Sequence, residues 1–317
     1  MSTQQTPALP WRPGTTQVLG HRGARGLAPE NTLVGFLHAH RVGATAMELD
    51  VQLSADGEVV VWHDPVLTAD KAVDTAPATR EDPLFPYVGS RLRELTYGQL
   101  ASVDVGRRTA AAFPEQRPRP GARIPLLGEV LQALAEVDPE VWTLVEMKTD
   151  PTDPGAEPEA LVRAVVEVVR ACGAGSRVVL QSFDWHAVDL AGRAAPDLPR
   201  AALAVPGLTF ARGSAWLGPV HYDDHDGDLA AAAHALGVQA VAPAYASPYG
   251  ARAGDDGFAL VTDRAFVDHA HEVGLAVLPW TVNGDDDLAH VLAAGVDGVI
   301  SDRPDRAAAL VAAGRPG

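Results

Sequence analysis

From Gln17 onward, short runs of β-branched and other apolar residues alternate with longer stretches rich in alanine, leucine and valine. That is the rhythm of strands and helices taking turns around a parallel sheet. The short runs predict strands at 17–20, 46–50, 141–146, 177–181, 200–205, 238–242, 275–279 and 298–301. About eight strands is the number that closes a (β/α)8 barrel, so the predicted fold class is α/β, a TIM barrel. The longer stretches predict helices at 32–41, 126–136, 158–171, 185–193, 229–236, 263–272, 285–293 and 305–312. Several of these end at a glycine, as at Gly43, Gly237 and Gly295, where a helix commonly turns left-handed and stops.

Two stretches break the rhythm. Residues 65–123 are too long for an ordinary connection and hold one helix start, Thr96 with Gln99 in capping-box spacing. They are read as an insertion after the second strand, lying over the barrel mouth. Residues 206–227 are the second irregular stretch. Such loops either shape a substrate site or decorate the surface, and both readings stand at this level. The expected organisation is a flexible tail over 1–16 and a single barrel domain over 17–317.

Composition narrows the function. A chain of 317 residues that is 47% hydrophobic buries a sizeable core. Its formal charge of −16 argues against nucleic acid or an anionic membrane as partner. An anionic substrate then needs local positive charge, which a bound metal supplies. Cys172 is the sole cysteine, and the polar, proline-punctuated start has no signal-peptide pattern, so a soluble cytoplasmic protein is expected. No stretch has the length and purity of a membrane span, so no stable membrane insertion is expected. Nothing in the pattern specifies an oligomeric state.

Barrel chemistry belongs at the carboxyl ends of the strands, and polar residues gather there. The first predicted strand ends in His21 and Arg22, the second in Glu48 and Asp50, the third in Glu146 and Lys148. Gln181 and Ser182, Trp280 and Asn283, and Asp302 follow later strands. Helix capping accounts for Ser182 and Asp302 but not for carboxylates, a histidine, an arginine and a lysine leaving apolar strands. Glu48 and Asp50, two apart on a strand, share a face where like charges repel unless a cation lies between them. Glu146 adds a third oxygen donor. Three carboxylates without cysteine suit one hard divalent cation, Mg²⁺ or Ca²⁺, with Mn²⁺ also accepted. The competing reading is an ion-pair network with Arg22 and Lys148, and metal binding is favoured over it.

After Asp50 the chain reads VQLSADGEVVVWHD, in which Asp56-Gly57 signals a two-residue hairpin turn. That register places His63 directly across from Asp50 and folds it onto the acidic site. In HRGARGLAPENT, residues 21–32, Gly23 is read as letting a ligand approach the backbone, and Pro29, Asn31 and Thr32 as a helix start. Arg22 offers a planar donor fork suited to a phosphate oxygen.

These segments resemble the glycerophosphodiester phosphodiesterases, a barrel family related in design to phosphoinositide-specific phospholipases C. The resemblance rests on HRGARGLAPENT, ELDVQLSADGEVVVWHD at 48–64, IPLLGEVL at 124–131, VEMK at 145–148, QSF at 181–183, PWTVN at 279–283 and GVDGVISDRPD at 295–305. It implies that His21 and His63 act as general acid and base, their roles not distinguished. It implies that Glu48, Asp50 and Glu146 hold the cation, that Arg22 and Lys148 contact phosphate, and that Trp280 packs on the glycerol moiety. Leu126 departs from the family's more frequent threonine at a helix cap. The implied reaction is hydrolysis of a small glycerophosphodiester to glycerol 3-phosphate and an alcohol such as choline or ethanolamine.

Two rivals accompany this expectation. A lysophospholipase D or phospholipase C-like activity needs an apolar groove, for which Phe85, Tyr87, Phe210, Trp216 and Tyr249 are the available aromatics. A non-catalytic phosphodiester-binding protein needs losses among the site residues, and none is missing. HYDDHDGD at 221–228 is read as a solvated acidic loop before a helix, in preference to a second metal site.

Overall fold

The computed structural model describes residues 9, 11 and 14–314. Its first part comprises β1 (Gln17–His21), α1 (Leu33–Arg41), β2 (Ala46–Leu53), β3 (Val59–Val61), α2 (Tyr97–Leu100), α3 (Leu127–Val137) and β4 (Trp142–Met147). Next come α4 (Pro158–Ala171), β5 (Val178–Ser182), α5 (Trp185–Ala194), β6 (Arg200–Ala204), α6 (Leu229–Ala235) and β7 (Ala240–Pro243). The chain ends with β8 (Ala246–Ser247), β9 (Ala259–Leu260), α7 (Arg264–Glu272), β10 (Ala276–Val277), α8 (Asp285–Ala294), β11 (Gly298–Ser301) and α9 (Pro304–Ala313). The helices begin where the sequence supplies caps. Thr32, Asp184, Asp228 and Asp263 each accept a backbone N–H of the first turn of α1, α5, α6 and α7.

Eight parallel strands follow the order β10-β7-β6-β5-β4-β2-β1-β11. The ring is nearly closed by three backbone bonds, Asp297 N–H to Val277 O at 3.1 Å, Ile300 N–H to Pro279 O at 3.0 Å and Val282 N–H to Ile300 O at 2.9 Å. This is the expected TIM barrel, and each of its eight strands lies where the hydrophobic pattern placed one. Large side chains such as Leu19, Trp142, Leu144 and Leu278 alternate inside the barrel with Ala46, Ala201, Ala240 and Ala276. That mixture fills a narrow interior with side chains and leaves the chemistry to the rim. The small antiparallel pair β8 and β9 carries no alternating pattern long enough to read from sequence. Most of the expected tail, residues 1–16, lies outside the described residues, although Trp11 within it is buried and its ring centroid is 5.7 Å from that of Trp142.

The insertion after the second barrel strand is packed. Val60 and Trp62 of the β3 region join Leu67, Tyr87, Leu92, Leu95, Leu100, Val103 and Ile124 in a separate apolar core. The expected capping box is present: the Thr96 hydroxyl accepts Gln99 N–H, and the Gln99 side-chain oxygen accepts Thr96 N–H at 2.9 Å. Tyr87 and Phe210, two of the aromatics considered for a groove, are buried in cores. Phe85 is partly exposed and packs edge-on to Tyr87 in the insertion.

The hairpin register differs from the expectation by one residue. β2 and β3 pair Val51 with Val61 and Leu53 with Val59, so Asp50 lies opposite Trp62 and not His63. The cause is a three-residue loop, Ala55-Asp56-Gly57, in place of the two-residue turn. The Ser54 hydroxyl accepts Glu58 N–H at 3.0 Å, Asp56 accepts both the Ser54 hydroxyl and Tyr97 N–H, and Gly57 takes φ +82°. Contacts from α2, distant in sequence, therefore decide the turn.

Because Leu92 is fully buried in the insertion core, Leu92→Ala should lower unfolding free energy by about 2–5 kcal/mol. Urea denaturation measures it, and a change under about 0.5 kcal/mol would mean that the insertion is a loose decoration after all.

Candidate active site

Parallel register brings the acidic residues together. Asp50 of β2 is level with Glu146 of β4, His21 of β1 with Glu48 of β2, and Glu146 with Gln181 of β5. Glu48, Asp50 and Glu146 are all buried, and each offers an oxygen within 4.8 Å of the others. Burial pushes the Glu48 carboxyl well up from its ordinary range, and Asp50 and Glu146 add to the shift. Burial also raises Glu146, despite Lys148 Nζ at 2.8 Å from its Oε1. Asp50 is equally buried but is held below the usual range by Arg22, then His63 and Lys148, with Asn31 donating to its Oδ2 at 2.9 Å.

The polar neighbours test whether this trio fits a cation. Asn31 and Gln181 touch the carboxylates through their amide nitrogens, and their side-chain oxygens are buried without a hydrogen-bond donor among the described residues. Carboxylates that raise one another's pKa, next to amide oxygens with unused lone pairs, form an all-oxygen donor set for a hard divalent ion. The group fits. The acidic loop at 221–228 gathers no such set: Asp223 pairs with Arg212, and Asp228 caps α6 and pairs with His269.

The two histidines are built alike. His21 Nδ1 lies 2.6 Å from Asp302 Oδ1, and Asp302 is itself held by Asn283, which donates to Oδ2 at 2.8 Å and accepts Asp302 N–H at 2.9 Å. His63 Nδ1 lies 2.6 Å from Asp64 Oδ1. Both carboxylates are depressed in pKa, Asp302 chiefly by His21 and Asp64 by His63 and Lys71, each against its own burial. An ionised carboxylate accepts Nδ1–H and so leaves Nε2 of each imidazole as the free nitrogen. Burial pushes both histidines below their ordinary range, outweighing those carboxylates. His63 reaches the site although the register slipped, because β3 ends at Val61 and the chain bends at His63 itself. Gln52 fixes that bend by donating through Nε2 to the Trp62 and Asp64 carbonyls, at 3.0 and 3.1 Å.

Arg22 takes φ +50°, an uncommon conformation for a bulky residue. It is held there by its N–H on Glu48 Oε2 at 3.1 Å and by its carbonyl, which accepts Asn31 N–H at 3.0 Å. The guanidinium then spans Glu30 and Asp50, both 3.2 Å away. Gly23 has a different reason from the one expected. A Cβ there would lie 2.8 Å from the Gly35 backbone, so the glycine serves the packing of the turn against α1.

His21, Arg22, Glu48, His63, Glu146 and Trp280 line one cavity of about 300 Å³, and Lys148 pairs with Glu146 and Asp50 at 2.8 and 3.7 Å. The opposite wall is aromatic: Phe183 packs edge-on to Trp280 at 5.3 Å and to Trp216 at 6.4 Å, and Tyr249 lies 5.8 Å from Trp280. Trp280 is anchored by its Nε1–H on the Ala242 carbonyl at 2.7 Å. The structure brings together here all eight residues expected at the site; Asn31, Gln52, Phe183 and the network of Glu30, Asp64 and Lys71 were not expected there, and Asp302, expected as a helix cap, backs His21 instead. Asp64 had a signal in standing next to His63. Glu30 and Lys71 had none, because their pairing spans 41 positions.

A rim that pairs an acidic oxygen cluster with fixed cations can hold a metal ion and an anionic ester side by side, which makes this a TIM-barrel enzyme of the phosphoester-handling class. The sequence profile of the Glycerophosphoryl diester phosphodiesterase family matches residues 21–306. The chain belongs to that family. A glycerophosphodiester phosphodiesterase of Caldanaerobacter subterraneus subsp. tengcongensis is 28% identical over 302 residues, covering 94% of this chain and 99% of that protein. A Bacillus subtilis glycerophosphodiester phosphodiesterase is 26% identical, covering 92% of this chain and 85% of that one. Among solved structures, one assigned as a glycerophosphoryl diester phosphodiesterase, from Silicibacter pomeroyi DSS-3, superposes with a TM-score of 0.77 at 31% identity, covering 96% and 95% of the two chains. An Oleispira antarctica phosphodiesterase in complex with its product sn-glycerol-3-phosphate shares the fold, with a TM-score of 0.66 at 21% identity over 94% and 97% of the chains.

Glu30 gives the site a pH signature. Although burial works the other way, Arg22, Arg25 and Lys71 draw its carboxyl from 4.5 down to about 2. A pKa lower in the folded state stabilises above the unfolded value and is lost as pH falls from about 4.5 towards 2. Glu30 should therefore supply up to about 3 kcal/mol at neutral pH that disappears in acid. Urea denaturation at pH 7 and at pH 3 should show Glu30→Gln losing less stability on acidification than the parent. Equal losses would contradict the assignment.

Proposed function

We propose that this phosphodiesterase hydrolyses small glycerophosphodiesters, such as glycerophosphocholine and glycerophosphoethanolamine, to glycerol 3-phosphate and the free alcohol. The observation that carries the reading is the pair of carboxylate-backed imidazoles, His21 on Asp302 and His63 on Asp64, lining one cavity with Glu48 and Glu146 of the acidic trio. The cavity volume lies at the small end of the range for small-molecule sites, which favours a substrate without an acyl chain. The product found in the Oleispira antarctica structure is in keeping with this substrate class.

In the proposed reaction Arg22 and Lys148 meet the phosphate, and Trp280 offers its face to the glycerol carbons. One histidine takes the proton of the attacking hydroxyl through Nε2, while the other gives a proton to the leaving alkoxide. Asp302 and Asp64 keep each ring in the tautomer and orientation those transfers need. The aromatic wall of Phe183, Trp216 and Trp280 excludes water from one side of the reacting group. Glu48, Asp50 and Glu146 would hold one divalent cation, Mg²⁺, Ca²⁺ or Mn²⁺, which when bound neutralises charge building on the phosphoryl oxygens. No helix among the described residues is long and apolar enough to cross a membrane.

His21→Ala and His63→Ala should each lower kcat on glycerophosphocholine by roughly 10²- to 10⁴-fold while leaving the thermal unfolding midpoint nearly unchanged. Parental turnover in both variants would refute the histidine assignment. In a panel that sets glycerophosphocholine and glycerophosphoethanolamine against lysophosphatidylcholine, the unacylated esters should have the higher kcat/KM. A strong preference for the acylated one would favour the lysophospholipase D reading instead.

A further inference from the structure

Lys71 belongs to the insertion, yet it reaches both arms of the barrel site. Its Nζ lies 2.6 Å from Asp64 Oδ2 and 2.9 Å from Glu30 Oε1. Asp64 spends its other oxygen on His63 Nδ1, and Glu30 spends its oxygens on Arg22 and Arg25. One ammonium therefore ties the strand end that carries His63 to the loop that carries Arg22. Neither partner is an exposed surface charge: the side chains of Glu30 and Asp64 are 11% and 22% accessible, and that of Lys71 is 20%.

The ammonium is itself placed by the insertion core. Lys71 N–H and Ala72 N–H both bond the Thr68 carbonyl, at 3.1 and 2.9 Å, in a turn flanked by the buried Leu67 and Ala72. On the other side of Lys71, Val73 pairs with Asp104 through two backbone bonds of 2.9 Å. The turn is thus fixed on either side of Lys71, so its side chain starts from a defined point.

We propose that Lys71 is a positioning residue for the phosphodiesterase reaction, holding Asp64 so that His63 keeps Nε2 towards the substrate, and holding Glu30 so that Arg22 keeps its fork towards the phosphate. This rests on the role proposed above for His63 and gives the insertion a part in turnover. Without the ammonium, Asp64 loses the contact on its second oxygen and Glu30 loses one of the two cations on Oε1, and the imidazole and guanidinium they steer gain rotational freedom. Partners of this kind, one bond removed from a working group, typically matter by 10- to 100-fold.

A double-mutant cycle tests it, with kcat and KM for glycerophosphocholine measured in parent, Lys71→Met, His63→Ala and the combined variant. Lys71→Met should lower kcat by about 10- to 100-fold and raise KM through Arg22, with thermal unfolding within a few degrees of the parent. In the His63→Ala background the same change should cost kcat less than about threefold, because there is no imidazole left to orient. Lys71→Arg, which keeps a cation between the two carboxylates, should recover most of the lost kcat, and it keeps the test decisive if Lys71→Met does not fold. A Lys71→Met variant with parental kcat, an equal loss on both backgrounds, or a folded Lys71→Arg no better than Lys71→Met overturns the proposal. If His63→Ala itself turns over at the parental rate, it is the His63 role that fails.

Discussion

Three carboxylates, Glu48, Asp50 and Glu146, are buried within a few ångströms of one another at the top of an apolar barrel, and the arrangement of the rim follows from that constraint. Left alone, such a cluster repels itself and is poorly solvated, which is why burial and mutual charge raise Glu48 and Glu146. Arg22 and Lys148 offset part of the charge, and Arg22 adopts a left-handed backbone to do so. Three negative groups facing two fixed positive ones leave the site short of positive charge. A hard cation held by the three carboxylates would supply what is missing.

Around that core the histidines and their carboxylates form an outer ring. Asn283 and Asp302 steady His21 from the closing strands of the barrel, while Gln52, Asp64 and the insertion steady His63 from the other side. The aromatic wall and the basic residues then give the cavity an apolar face and a charged face. Its chemistry is thus drawn from nearly every sector of the barrel, as parallel register around a closed ring allows.

Much of this was legible in the chain. The eight barrel strands are mostly apolar, because a parallel sheet is buried on both faces, and the polar residues towards their carboxyl ends marked Glu48, Asp50, Glu146, His21 and Lys148 without further help. What was not legible depended on contacts distant in sequence. The turn at Asp56-Gly57 gained a residue because Ser54 and α2 both donate to Asp56 and hold the wider loop, which moved His63 off the position opposite Asp50. His63 still reaches the site because the ladder stops before it. Gly23 was read as a ligand approach when its neighbour is α1, and Lys71 left no local trace of its two carboxylate partners.

The most direct measurement is the stoichiometry of divalent-ion binding after chelation, by titration calorimetry with Mg²⁺, Ca²⁺ and Mn²⁺ in turn, on the parent and on Asp50→Asn. One ion per chain in the parent, bound far more weakly by a folded Asp50→Asn, is the expected result. A folded parent that binds none of the three, or binds one equally well without the Asp50 carboxylate, would contradict a cation held by the buried trio.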